Sequence, residues 1–170
     1  MTESAGTVDL VVLGGGSGGY AAALRAAELG MTVVMVEKDK LGGTCLHRGC
    51  IPTKALLHSA ETVEAVKHSD QFGIRSTFES VDVPAVQAYK DSVVAGLFKG
   101  LSGLIKSRKI EVLQGTGTLV SPTAVEVALD GGDPRRVEGR PILLATGSYA
   151  RLLPGLERDG TRILTSDDAL

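Results

Sequence analysis

The pattern that most restricts the fold runs from Val8 to Glu37. Val8-Asp-Leu-Val-Val-Leu13 is an apolar run of strand length, and Gly14-Gly-Gly-Ser-Gly-Gly19 is a turn that almost any chain would find hard to continue as a helix or a strand. Tyr20 to Leu29, with Ala21, Ala22, Ala23, Ala26 and Ala27, reads as a helix of small residues able to approach a sheet closely. Gly30 stands where a C′ residue ends a helix. Thr32-Val-Val-Met-Val36 is a second buried-strand run, closed by Glu37. Strand, glycine turn, helix, strand and acid within about thirty residues make up the context that turns G-x-G-x-x-G, weak by itself, into a dinucleotide fingerprint. Gly14 permits the tight turn, Gly16 lets the backbone approach a pyrophosphate, and Gly19 lets helix and strand pack. The helix N-terminus offers N–H groups to the phosphates. Glu37, 18 residues past Gly19, is placed to accept from both hydroxyls of an adenosine ribose. Its charge disfavours a ribose 2′-phosphate, which favours FAD or NAD over NADP. The competing reading is a glycine-rich turn of some other α/β protein.

The second feature is Leu41-Gly-Gly-Thr-Cys-Leu-His-Arg-Gly-Cys-Ile-Pro-Thr-Lys54, which holds both cysteines of the chain. Pro52 marks a first helical position, and Leu56, Ala60, Val63 and then Val66 or Lys67 keep the helical period. Cys50 therefore falls at or just before a helix N-terminus, where the macrodipole lowers a thiol pKa and makes it the more reactive of the two. A pair this close can close a small disulfide ring and reopen it. A zinc site from Cys45, His47, Cys50 and His58 lacks the Cys-x2-Cys spacing and a second cysteine pair, so no metal is expected. His47, His58 and His68 read as solvent-facing or packed helix residues.

Farther on, Gln71 to Ile74 reads as a short extended turn, and Asp82 with Pro84 as a helix start. That helix runs to Ser107 with Val86, Tyr89 or Lys90, Val93, Leu97, Leu101 and Leu104 as its apolar stripe. Gly96, Gly100 and Gly103 recur on one side at a cost of up to about 1 kcal/mol each, which suggests close backbone contact with a neighbour; a kinked surface helix is the alternative. Ile110 to Leu113, Thr116 to Val120 and Thr123 to Leu129 read as strands, Asp130-Gly-Gly-Asp133 as a hairpin turn, and Arg135 to Glu138 as a return strand. Pro141 to Gly147 reads as another buried strand. The fold class is thus α/β: a parallel sheet with a glycine-loop βαβ start, a two-helix excursion and a small antiparallel β-meander before the last parallel strand.

Composition excludes several classes of function. A formal net charge of −2 leaves no basic patch for nucleic acid. No apolar run approaches the roughly 20 residues of a membrane span. The polar start from Met1 to Val8 lacks a signal-peptide pattern, so a cytoplasmic location is expected. Two cysteines in a reducing compartment point to catalysis or metal rather than a structural staple.

The fingerprint followed by Gly42-Gly-Thr-Cys-Leu-His-Arg-Gly-Cys-Ile-Pro-Thr-Lys54 resembles the flavoprotein disulfide reductases, from residue 8 to residue 170. Leu46 and Ile51-Pro52-Thr53-Lys54 lean towards the dihydrolipoyl dehydrogenase branch rather than glutathione, trypanothione or mercuric reductases. His47-Arg48 departs from the family's Asn-Val between the cysteines, away from the redox atoms. The resemblance implies a Rossmann-like FAD-binding domain with a redox-active disulfide over residues 1–150, and an exit segment over 151–170 leading towards an NAD domain. It implies Cys45 as the interchange thiol and Cys50 as the charge-transfer thiol. It implies cofactor contacts at Gly14, Gly16, Ser17, Gly18, Gly19, Glu37, Lys38, Gly42, Gly43, Thr44, Cys45, Lys54, Gly117, Ala145, Thr146 and Gly147. FAD is the implied cofactor, NAD the co-substrate, the lipoyl group of 2-oxo acid dehydrogenase complexes the partner, and a homodimer the state of the complete protein. A second glycine fingerprint, a Gly-Asp motif and a dimerisation domain with a His–Glu base are not found within the 170 residues. The resemblance therefore implies a chain that does not turn over by itself, and a non-catalytic FAD-binding fragment is the alternative.

Overall fold

The computed structural model describes residues 7–170, so the reading of the N-terminal stretch as lacking a signal sequence lies mostly outside them. The described residues form two compact units, one of residues up to Gly43 with Phe98–Tyr149, the other of Thr44–Leu97 with Ala150–Leu170.

The first unit is α/β, as its sequence pattern requires. Its six strands are β1 (Leu10–Leu13), β2 (Val33–Glu37), β3 (Glu111–Ser121), β4 (Ala124–Leu129), β5 (Arg135–Glu138) and β6 (Ile142–Leu144), in the spatial order β5-β4-β3-β2-β1-β6. From β3 to β6 the pairing is parallel, with Leu10 to Leu13 opposite Val33 to Val36. β3, β4 and β5 form the antiparallel meander. Because side chains alternate faces along a strand, β1 and β2 feed two cores. Leu10, Val12, Val33 and Met35 pack with Ala23 and Ala26 of α1 (Ser17–Glu28) and with Ile105 and Ile110. Val11, Leu13, Val34 and Val36 pack against Val125, Val127 and Val137 of the meander. Strands buried on both faces have no room for polar residues, which is why these runs are uninterrupted. Each such fully buried aliphatic side chain stabilises by about 2 kcal/mol.

Three expectations are corrected. Residues 111–121 are one strand, not two. Its first half pairs with β2 and its second with β4, and it changes partner at Gly115, whose φ is +154° and where a Cβ would stand 2.2 Å from the Ala128 carbonyl oxygen. The last strand is short and only half-buried, with Leu144 58% exposed, because it stands at the edge of the sheet. On α4 (Val83–Ser107), nothing lies within 4 Å of a Cβ built at Gly96, Gly100 or Gly103. These glycines are exposed, and no described neighbour approaches them.

In the second unit, Asp82 starts α4 as expected, its Oδ1 accepting from the Ala85 N–H at 3.1 Å. α2 (Gly43–His47), which lies almost wholly in this unit, had no signal in the hydrophobic pattern. α3 (Cys50–Lys67) begins two residues before Pro52, which is tolerable because the first turn of a helix has no intrahelical partner for its N–H groups. Its inward stripe passes through Pro52, Ala55, Leu56 and Ser59 and leaves Ala60 exposed, with the Ser59 hydroxyl returned to the Ala55 carbonyl at 3.3 Å. Ser69–Phe72 is a 3₁₀ turn rather than an extended one. In α5 (Ser166–Ala169), Asp168 accepts from the Arg158 guanidinium and from the Thr165 N–H, which hold its carboxyl down at about 2.

Both long ends of the first unit's helices close in the same way. After α1, the Gly30 N–H reaches the Ala27 carbonyl and the Met31 N–H that of Ala26, with Gly30 at φ +85°, the double bond of a Schellman motif. After α4, Lys109 and Ile110 repeat it onto Lys106 and Ile105, but the left-handed position is held by a lysine at φ +57°. A Cβ is strained there by about 1 kcal/mol. Lys109→Gly is therefore expected to raise the unfolding free energy by about 1 kcal/mol, read as a higher denaturation midpoint at unchanged slope in urea.

Candidate functional site

In the first unit the glycine loop sits at the carboxyl ends of β1 and β2, and close backbone approaches explain its glycines. Gly14 has φ +106°, and a Cβ there would stand 2.2 Å from the Ala145 carbonyl oxygen. Ala145 itself is tied to β1, its N–H donating to the Leu13 carbonyl at 2.8 Å. A Cβ on Gly19 would stand 1.8 Å from the Gly14 carbonyl oxygen and 3.3 Å from Val12 Cγ1, so strand and helix pack through a hydrogen atom. Gly43 has φ +59°, and its Cβ would lie 2.7 Å from Gly16 Cα. The Gly42 N–H donates to the Gly15 carbonyl at 2.9 Å, and Gly16 and Gly42 form a short parallel bridge.

The end of α1 is built to face an anion. Its first intrahelical bond runs from the Tyr20 N–H to the Gly16 carbonyl at 2.9 Å, so the N–H groups of Ser17, Gly18 and Gly19 precede it. Gly16 provides no side-chain cap, no acid occupies the first turn, and nothing lies within 4 Å of a Cβ on Gly18. Open space beside uncapped N–H groups and the positive end of the dipole fits a phosphate. Glu37, only 9% exposed, accepts from the Gly15 N–H through Oε2 and from the Asp39 N–H through Oε1, both at 2.7 Å.

The structure thus brings Gly14, Gly16, Ser17, Gly18, Gly19, Glu37, Gly42, Gly43 and Ala145 to one end of the sheet. Lys38, Thr146 and Gly147 are exposed. Gly117 looks the other way: a Cβ there would meet Leu13, Val36 and Val125, so its lack of a side chain serves the core. Gly15 was missing from the residues singled out by sequence. Its signal was the additional glycine of the loop, which the G-x-G-x-x-G spacing treats as free.

The second unit holds the cysteine motif. α2 turns back into α3 through Arg48, whose N–H reaches the Thr44 carbonyl at 2.8 Å, and Gly49, where a Cβ would stand 3.0 Å from that same oxygen. Cys45 is half-buried on α2 and Cys50 exposed at the first position of α3; both are free thiols. A hydrogen bond with the Cys50 side chain pushes the Cys45 thiol up, and burial adds to this. The Cys50 backbone N–H and the Lys54 ammonium pull the other way and are outweighed. The helix N–H group therefore serves the Cys45 sulfur. Thr44 and Lys54 are exposed. His58 on α3 and His68 just after its C-terminus are exposed and stand against Glu61 (3.7 Å) and Glu64 (3.3 Å), apart from the thiols in sequence and paired locally. Among the described residues no group of three His, Cys, Asp or Glu side chains is arranged to hold a metal ion.

Comparison with known proteins gives a consistent picture. The family model described as pyridine nucleotide-disulphide oxidoreductase matches residues 8–170. The chain is 45% identical over 170 residues to the dihydrolipoyl dehydrogenase of Bacillus subtilis, covering 95% of this chain and 36% of that protein. It is 47% identical to the dihydrolipoyl dehydrogenase of Chlamydia trachomatis, over 95% of this chain and 35% of the relative. It is 46% identical to the leghemoglobin reductase of Vigna unguiculata, over 95% and 31%. The crystal structure of LpdA from Mycobacterium tuberculosis superimposes with a TM-score of 0.84 at 27% identity, over 95% of this chain and 36% of that one. The chain spans roughly a third of the length of these relatives.

Two outcomes are expected. Gly19→Ala drives a methyl group into the backbone of Gly14 and lowers the unfolding free energy by about 3 kcal/mol or more, whereas Gly18→Ala, on an open helical position, raises it by about 0.5–1 kcal/mol; thermal unfolding of the two variants checks the contrast. For the thiols, Cys45 is expected to alkylate with a midpoint above the ordinary value of about 8.5. Cys50→Ala removes the main cause of that elevation and moves the midpoint down, as followed by mass spectrometry across pH.

Proposed function

Because the chain belongs to the pyridine nucleotide-disulphide oxidoreductase family, we propose that it is the flavin-binding part of a dithiol–disulfide oxidoreductase that, as a longer protein, oxidises dihydrolipoamide with NAD⁺. The observation that carries this reading is the glycine loop at the sheet end, with a helix N-terminus left open and a buried carboxylate at the end of β2. The residues present fit FAD. Gly16, Ser17, Gly18 and Gly19 would hold its pyrophosphate through backbone N–H groups, Glu37 its ribose hydroxyls, and Gly14, Lys38, Gly42, Gly43, Thr44, Cys45, Lys54, Gly117, Ala145, Thr146 and Gly147 complete the proposed contacts. When bound, FAD supplies a two-electron acceptor for the thiol pair.

The chain's own part is thiol–disulfide exchange. A substrate thiolate attacks the Cys45 sulfur of a Cys45–Cys50 disulfide, the S–S bond breaks, and Cys50 leaves as thiolate. The second substrate thiolate then attacks the mixed disulfide at the substrate sulfur, closing the substrate's own disulfide and releasing Cys45. The substrate has lost two electrons, the cysteine pair has gained them, and the two thiol protons have passed to a base. His58 and His68, paired with glutamates on α3, are not assigned that role. The raised thiol at Cys45 suits a sulfur that is held protonated once reduced.

On the same reading the partner is the lipoyl group of a 2-oxo acid dehydrogenase complex, the complete protein is a cytoplasmic homodimer, and residues 151–170 lead from the FAD-binding domain of residues 1–150 towards the NAD-binding part. No helix among the described residues is long and apolar enough to cross a membrane. A related acceptor is the second reading, favoured by the leghemoglobin reductase that matches this region about as well as the dihydrolipoyl dehydrogenases do. The purified chain is expected to keep FAD through desalting, and anaerobic dihydrolipoamide to bleach the flavin absorbance without net NADH formation. Cys45→Ser should keep the flavin and lose the bleaching. A folded chain that retains no flavin, or a Cys45→Ser variant that bleaches like the parent, would contradict the reading.

A further inference from the structure

The peptide of Gly15 is gripped on both sides. Its N–H donates to Glu37 Oε2 at 2.7 Å, and its carbonyl accepts from the Gly42 N–H at 2.9 Å. A Cβ here would stand 2.8 Å from Leu41 Cδ2 and 3.1 Å from both Glu37 Oε2 and Met35 Sδ, so side chains already fill the space. The other carboxylate oxygen of Glu37 is fixed by the Asp39 N–H, also at 2.7 Å. A carboxylate buried to this degree is unfavourable unless its oxygens find donors, and here both donors are backbone groups of the two turns that frame the loop.

We propose that Glu37 is a positioning residue, which holds the glycine loop in its ligand-ready shape through the Gly15 N–H before any ligand arrives. This rests on the reading of the loop as a dinucleotide site and deepens it. Two of the roughly four lone-pair sites of the carboxylate are spent on the loop and the β2 turn, and the others are left for ribose hydroxyls. Binding at this acid thus has two separable parts: contact with the ribose, and alignment of the N–H groups of Ser17 to Gly19 on the pyrophosphate.

The probes that separate them are ADP and 2′,3′-dideoxy-ADP, which keeps the diphosphate and lacks both hydroxyls. Glu37→Gln preserves the shape but presents an NH2 group to one of the two backbone donors. In the ligand-free variant, amide hydrogen exchange at Gly15 or Asp39 is expected to rise about tenfold or more, with the strand amides of Val12 and Met35 unchanged. The dideoxy probe, which can report only the alignment, is expected to bind about tenfold more weakly than to the parent, and ADP to lose at least as large a factor. Unchanged exchange at both amides would overturn the proposal, and so would a loss confined to ADP with the dideoxy probe bound as by the parent. Glu37→Ala should exaggerate the same pattern, and Glu37→Gln decides the matter if the alanine variant does not fold. A parent that binds neither probe would remove the dinucleotide reading, and amide exchange alone would then decide whether the clamp exists.

Discussion

The contact of Gly19 with the carbonyl oxygen of Gly14 sets the geometry of the first unit. With no Cβ between them, α1 lies against β1 closely enough for Ala23 and Ala26 to reach Val12 and Met35. The same closeness turns the helix N-terminus onto the end of the sheet, so the packing solution and the anion-facing surface are one arrangement. Any side chain at Gly19 would have to move the helix axis, and both the core and the site would change together. That explains why the helix is made of alanines: close approach favours small residues along the whole face, not only at its first turn.

The charge at Glu37 is the second constraint. Apolar strands surround it, and a carboxylate at 9% exposure would be costly without donors. The loop solves this by turning the Gly15 and Asp39 N–H groups onto the two oxygens. Hydrogen bonds to an ionised acceptor are worth about 1.5–3 kcal/mol each, which is enough to hold a glycine-rich segment that has little intrinsic conformational preference. The stability of the loop and, on the proposed reading, its affinity for a ribose therefore draw on one side chain.

In the second unit, opposing effects decide the Cys45 thiol. The first N–H of α3 acts on the Cys45 sulfur and lowers its pKa, but the hydrogen bond with the Cys50 side chain and partial burial outweigh it. A helix terminus stabilises whichever anion its N–H groups reach, and the turn through Arg48 and Gly49 determines that the sulfur reached is the one on α2.

The amino-acid sequence alone determined the βαβ start, the meander and the long helix from Asp82 to Ser107, because these rest on local rules: uninterrupted apolar runs, glycine spacing and capping residues. It also determined the family, through two motifs that each need several residue types in fixed order. Tertiary structure alone decided what local rules cannot express. Gly115 lets one strand serve two pairings, Gly117 faces the core, and Gly96, Gly100 and Gly103 face open space, although all five positions read alike as glycine. Gly15 proved to be the residue that Glu37 holds, and the Cys50 N–H proved to serve Cys45. Each of these depends on which atoms from distant parts of the chain occupy the space beside a backbone group, and that information exists only once the chain has folded back on itself.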